Sequence, residues 1–94
     1  MTISLASLQK EWKSLLADNK WGELFDGMAS RVSGPPAQTL LQLKGRHSRM
    51  FSAEMNGIVS AAEANLEYNQ IRYGLFGLID HLTAADLEGD GILA

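Results

Sequence analysis

Apolar residues recur along the chain at the three- and four-residue steps of an α-helix in four segments, and nowhere in the alternation of a half-buried strand. Leu5, Leu8, Trp12, Leu15 and Leu16 mark the first segment, with Lys10, Glu11 and Lys13 off the stripe. Ser4 or Ser7 suits its cap, and Asp18-Asn19 its end. Trp21, Leu24, Phe25, Met28 and Val32 mark the second. It must stop at Ser33-Gly34-Pro35-Pro36, because prolines cannot continue a helix and glycine readily turns left-handed. That run is too short for a domain linker, and its second proline suits the first turn of a third helix. There Leu40, Leu43, His47, Met50 and Phe51 predict the buried stripe, which closes at Asn56-Gly57.

The fourth start is the strongest local signal. Ser60-Ala61-Ala62-Glu63 has the capping-box spacing, in which a serine oxygen accepts from the backbone three residues on and the glutamate reaches back. Tyr68, Ile71, Leu75, Leu78 and Leu82 then carry the period, and Leu66, Tyr73, Phe76 and Ile79 widen the apolar face, which predicts a central helix. Gly74 and Gly77 each cost a helix about 1 kcal/mol relative to alanine. They predict either a close approach by a neighbouring helix or a bend. Thr83-Ala84-Ala85-Asp86 suits one more short turn, and Glu88-Gly89-Asp90-Gly91 reads as a loop. Short connections set neighbouring helices antiparallel. The expected fold is all-α, a compact antiparallel helical bundle over residues 1–83 with an acidic, glycine-containing tail over 84–94.

Composition narrows this picture. A chain of 94 residues that is 46% hydrophobic holds one domain with one modest core. The net charge of −3 is uneven: eight Lys/Arg against seven Asp/Glu give +1 over residues 1–79, and Asp80, Asp86, Glu88 and Asp90 give −4. A nearly neutral body is a poor partner for nucleic acid, which needs a clustered basic surface. No apolar run approaches the ~18 residues of a membrane span. Cysteine is absent, and residues 1–5 lack the basic and continuous apolar regions of a secretory signal. The expectation is a cytoplasmic protein without membrane contact.

Catalytic chemistry has little to work with. A hydrolase needs a nucleophile, a base and a group that orients the base. The two histidines are isolated: His81 follows Asp80 directly, so their side chains diverge on a helix, and His47 lies on an apolar stripe. They do not make a metal pair at helical spacing, and no cofactor motif is present. Asp86, Glu88, Asp90 and Gly91 imitate the first half of a calcium loop, but the twelfth-position glutamate would fall at residue 97, past the last residue. No catalytic, cofactor or metal residue is expected.

Charged helix faces remain. Lys44, Arg46 and Arg49 form a short basic run, read either as a solvated face or as a patch for an acidic protein surface, and Asp18, Glu23 and Asp26 could supply that surface on another copy. Ser60 and Glu63 read as a cap. Trp12, Trp21, Ile71, Leu75 and Leu78 read as core.

Residues 40–82 also resemble a known family. Leu43-Lys44-Gly45-Arg46-His47-Ser48-Arg49-Met50, Gly57-Ile58-Val59-Ser60-Ala61-Ala62-Glu63, and the stretch from Asn69-Gln70-Ile71-Arg72 to Leu78-Ile79-Asp80 are similar to the bacterial effector-associated, death-like domains. These are relatives of the caspase recruitment (CARD-like) domains of the death fold. The resemblance implies a non-catalytic adaptor that associates with like domains. It would link a sensor to a protease, a nucleotide-binding ATPase or another effector in bacterial anti-phage defence or cell death, with the acidic tail heading a linker. It also implies six helices where the period shows four, so either the long segments break, at Gly45 or Gly74, or the bundle is a simpler relative. The matched Arg46, Glu63, Asn69 and Arg72 read as structural ahead of partner contacts, with Glu63 as a cap and Arg46 paired with an acid across the hairpin. A stand-alone helical regulator, an inhibitor or antitoxin-like protein bound to an unrelated partner, is the other functional reading.

Overall fold

A computed structural model describes residues 3–87 and 92–93. Helix α1 spans Leu5–Ala17, α2 Trp21–Ala29, α3 Pro35–Met55 and α4 Ala61–Asp80. The ends form where the local chemistry dictates. Ser4 Oγ accepts from the Ser7 N–H, and Ser60 Oγ accepts from the Glu63 N–H, so each serine satisfies an orphan donor of its helix. Both α1 and α3 close in the same way. Asn19 (φ 59°) and Gly57 (φ 70°) take left-handed conformations. The next N–H then returns to the carbonyl five residues back, Lys20 to Leu15 at 2.9 Å and Ile58 to Ala53 at 2.8 Å. Gly34 (φ 73°) makes the turn into α3, which carries proline in its first turn.

Each helix packs on its chain neighbours, and α4 closes back on α1. The cross-contacts of α3 with α4, Leu43 with Gly74 and Arg46 with Glu67, run antiparallel. The core joins Leu8, Trp12 and Leu16 of α1 to Leu24, Phe25 and Met28 of α2, Leu40 and Leu43 of α3, and Ile71, Leu75 and Ile79 of α4. Trp12, Ile71 and Leu75 are thus core residues, and Trp21 and Leu78 pack partly buried against that core. Gly27 sits beneath Trp12, where a Cβ would meet the indole nitrogen at 3.3 Å.

The long helices do not break. α3 runs through Gly45, and α4 runs through Gly74 and Gly77, so the described residues hold four α-helices. Of the two roles open for the glycines, close approach is seen at Gly74 alone, where an added Cβ would lie 3.0 Å from Leu43 Cδ2. At Gly77 that space is open.

One expectation about burial needs correction. Phe51 is 52% exposed, because α3 at 21 residues outruns α2 at nine, leaving its last turns uncovered. The apolar face of α4 is buried on one side only: Ile71, Leu75 and Ile79 are fully buried where it meets α1 and α3, but Leu66, Tyr73 and Phe76 are 63, 81 and 44% exposed.

Two short strands also fall outside the sequence pattern. Ile3–Ser4 (β1) pairs in parallel with Ile92–Leu93 (β2), a ladder too brief for any alternation to show. Residues 84–87, at the head of the expected tail, lie against the body. Ala84–Asp86 forms a 3₁₀ turn inside a Thr83/Asp86 capping box, the Ser33 N–H donates to the Asp86 carbonyl at 2.7 Å, and Leu87 bridges Val32. Glu88, Asp90 and Gly91 of the calcium-like pattern lie outside the described residues.

Candidate functional site

A cluster of aromatic side chains lies where α2, α3 and α4 meet. His47 of α3 is ringed by Trp21, Tyr68 and Phe25, with centroids 4.7, 5.3 and 5.6 Å away. Burial among these rings holds its pKa below the ordinary histidine value. Tyr68 donates to Glu54 at 3.2 Å; burial, then the charge of that carboxylate and the hydrogen bond to it, raise the phenol above its ordinary range. The neighbours of His47 are rings, and the exposed His81 bonds through Nδ1 to the Gly77 carbonyl at 2.8 Å.

Arg72 braces this junction from α4. Its guanidinium lies 5.1 Å from the Trp21 ring centre, donates to the Leu16 carbonyl at 2.8 Å and to Asn19 Oδ1 at 2.6 Å. A cation thereby closes the C-terminal end of α1, where the helix dipole concentrates negative potential. Arg46 does similar work across the hairpin, donating through Nε to Glu67 at 2.8 Å and through Nη2 to Gln70 at 3.2 Å. Of the residues matched to the family pattern, these two have structural contacts, Glu63 meets the Ser60 hydroxyl at 3.2 Å, and Asn69 is exposed.

The basic run does not make one patch. Lys44 lies about 160° around α3 from Arg46 at about 100° per residue, so the two point to nearly opposite sides. Arg46 is spent on Glu67, leaving Lys44 and Arg49 as exposed cations on different faces. The acids are better grouped. Glu23 and Asp26, three residues apart, share the exposed side of α2, and Asp18 caps the end of α1; none of the three is in an ion pair among the described residues.

Ligand space is slight. One shallow depression is lined by Ser7, Lys10, Glu11, Ser14 and Leu15, another by Arg46, Arg49, Met50, Ala53 and Glu67, and a third by Arg72, Tyr73 and Phe76. Among the described residues no three His, Cys, Asp or Glu side chains are grouped to hold a metal, and no helix is long and apolar enough to cross a membrane. What the sequence reading missed is the third depression. Its signal was available, since α4 has more apolar positions than one buried face can use.

These features define a small four-helix domain whose depressions, among the described residues, are open rather than enclosed. The family profile of effector-associated domain 11 matches residues 7–83, and the chain belongs to that family. Effector-associated domains are linked to effector proteins and are not known as a catalytic family, which points to interaction with protein. No curated protein and no solved structure matches the chain.

Proposed function

We propose that the domain is an adaptor. It is a reduced relative of the death-fold, CARD-like modules that associates with like domains and brings a sensor to an effector, a protease or a nucleotide-binding ATPase. The setting is the bacterial cytoplasm, in anti-phage defence or cell-death signalling, and the domain contributes no chemistry of its own. The observation that supports this reading is the family match over residues 7–83. The charged surface suits it: Asp18, Glu23 and Asp26 stand free on the α1–α2 side, and Lys44 and Arg49 stand free on α3. Contacts between such faces set register and choose partners more than they add affinity.

Size-exclusion chromatography with light scattering tests the association. The expected result is a concentration-dependent mass above that of the monomer, which falls in Glu23→Lys/Asp26→Lys. A wild-type chain that stays monomeric at the highest attainable concentration, and binds no second effector-associated domain, counts against the adaptor reading.

A further inference from the structure

Beside α1, the exposed side of α4 holds a shallow groove lined by Arg72, Tyr73 and Phe76. Tyr73, 81% exposed, and Phe76, 44% exposed, supply its apolar surface. Lys13 of α1 lies 5.2 Å from the Phe76 ring centre and pairs with Asp80, so its charge is balanced. The charge of Arg72 is not balanced: the Leu16 carbonyl, the Asn19 amide and the Trp21 ring are all neutral partners. Lys20 and Asp18 flank Asn19 in sequence with opposite charges, so together they leave the charge of Arg72 uncancelled. A large exposed aromatic beside an unneutralised guanidinium is the composition of an interface anchor.

The complementary surface is present on the same molecule. The exposed side of α2 carries Glu23 and Asp26 and no cation. Gly22, Asp26 and Ala29 follow at steps of four and three, so bare backbone and a methyl group flank the carboxylate. A Cβ at Gly22 would meet nothing within 4 Å, which leaves a flat seat for a ring. We infer that the groove lined by Tyr73, Phe76 and Arg72 receives the Glu23/Asp26 stripe of α2 from a second copy of the chain. The inference rests on the adaptor reading and names the receiving face for its acidic side, in place of the cations of α3. The two faces are different patches, so the contact is head-to-tail and one copy can both give and receive.

Two variants with opposite defects test it by size-exclusion with light scattering. Tyr73→Glu puts a carboxylate in the groove, and Glu23→Lys/Asp26→Lys reverses the stripe; all three positions are exposed, and circular dichroism checks that the fold is kept. Each variant alone is expected to be monomeric where wild type assembles. Their mixture is expected to form a 1:1 dimer and stop there, since only one intact pair of faces remains. Lys44→Glu/Arg49→Glu is expected to assemble as wild type does. A mixture that stays monomeric, or a folded Tyr73→Glu that assembles like wild type, overturns the groove assignment. Loss of assembly in Lys44→Glu/Arg49→Glu with Tyr73→Glu unaffected would return the contact to α3 and leave the adaptor reading standing. A wild type that never assembles removes both.

Discussion

Arg72, in the middle of the last helix, donates to the carbonyl of Leu16, at the end of the first, across 2.8 Å. The bond closes the bundle, because α1 and α4 are far apart in sequence and share no turn. The same guanidinium holds Asn19 in the left-handed turn that starts α2 and covers the Trp21 ring. Removing it takes the charged donor from the Leu16 carbonyl, which keeps only the Asn19 N–H at 3.2 Å, and uncovers an indole. Arg72→Ala is therefore expected to cost roughly 2 kcal/mol, the range for hydrogen bonds to a charged group. Arg72→Lys should recover little, since an ammonium cannot bond two acceptors in a plane while covering a ring. Urea denaturation of the three proteins measures both; equal stabilities for wild type and Arg72→Ala would refute the brace.

The glycines of α4 should separate by role. Alanine at Gly77 gains helix propensity in open space, so Gly77→Ala should stabilise the domain by about 0.5–1 kcal/mol. Alanine at Gly74 gains the same propensity but pushes against the buried Leu43, 3.0 Å from the new Cβ. Gly74→Ala should consequently be less stable than Gly77→Ala by about 1 kcal/mol. Thermal melts of the two variants decide it, and equal melting temperatures would mean that Leu43 moves aside freely.

His47 predicts a dependence on pH. Its pKa is lowered in the folded state by burial, so the unfolded chain binds the proton more readily. The stability tied to His47 is then whole above the unfolded value of about 6.5. It declines as the pH falls through that value towards the folded one. Stability should drop between neutral pH and pH 5, and the drop should shrink in His47→Gln. Titration of the imidazole by NMR should give a midpoint below that of His in an unfolded peptide; a midpoint above it would reverse the sign and exclude the cause.

The residues whose roles were readable from sequence are those whose partners are close in sequence. Ser60 and Glu63 meet within one turn, Asn56-Gly57 ends α3 with its own carbonyls, and Leu8, Trp12 and Leu16 share a stripe by period alone. Arg72 was not readable as a brace, because its acceptors lie 53 and 56 residues away. The basic run had two readings: helix rotation separates Lys44 from Arg46, which counts against a single patch, whereas the expected pairing of Arg46 with an acid across the hairpin is seen at Glu67. The exposed side of α4 was hidden by excess. Period marks which residues share a face, but not which of two apolar faces a partner covers, and Tyr73 and Phe76 fell on the open one.

The last strap of the body lies at the edge of the family match, which ends at residue 83. Beyond it, the Asp86 carbonyl receives both the N–H and the hydroxyl of Ser33, at 2.7 and 3.3 Å, and Leu87 packs on the core while bridging Val32. These contacts tie the end of α2 to the residues after α4, two segments that no helix pairing otherwise joins. A chain ended after Thr83 loses them all and leaves Val32, itself buried, with one side uncovered. A chain ended after Leu87 keeps them. The two truncations share the loss of β2, so the difference between them isolates the strap. The shorter chain is expected to be less stable by about 1–2 kcal/mol, from one partly buried leucine and its hydrogen bonds. Chemical denaturation gives the difference directly, and faster amide exchange at Val32 and Ser33 in the shorter chain should locate it. If the two chains unfold at the same denaturant concentration, residues 84–87 only rest on the bundle, and its stabilising contacts end at residue 83.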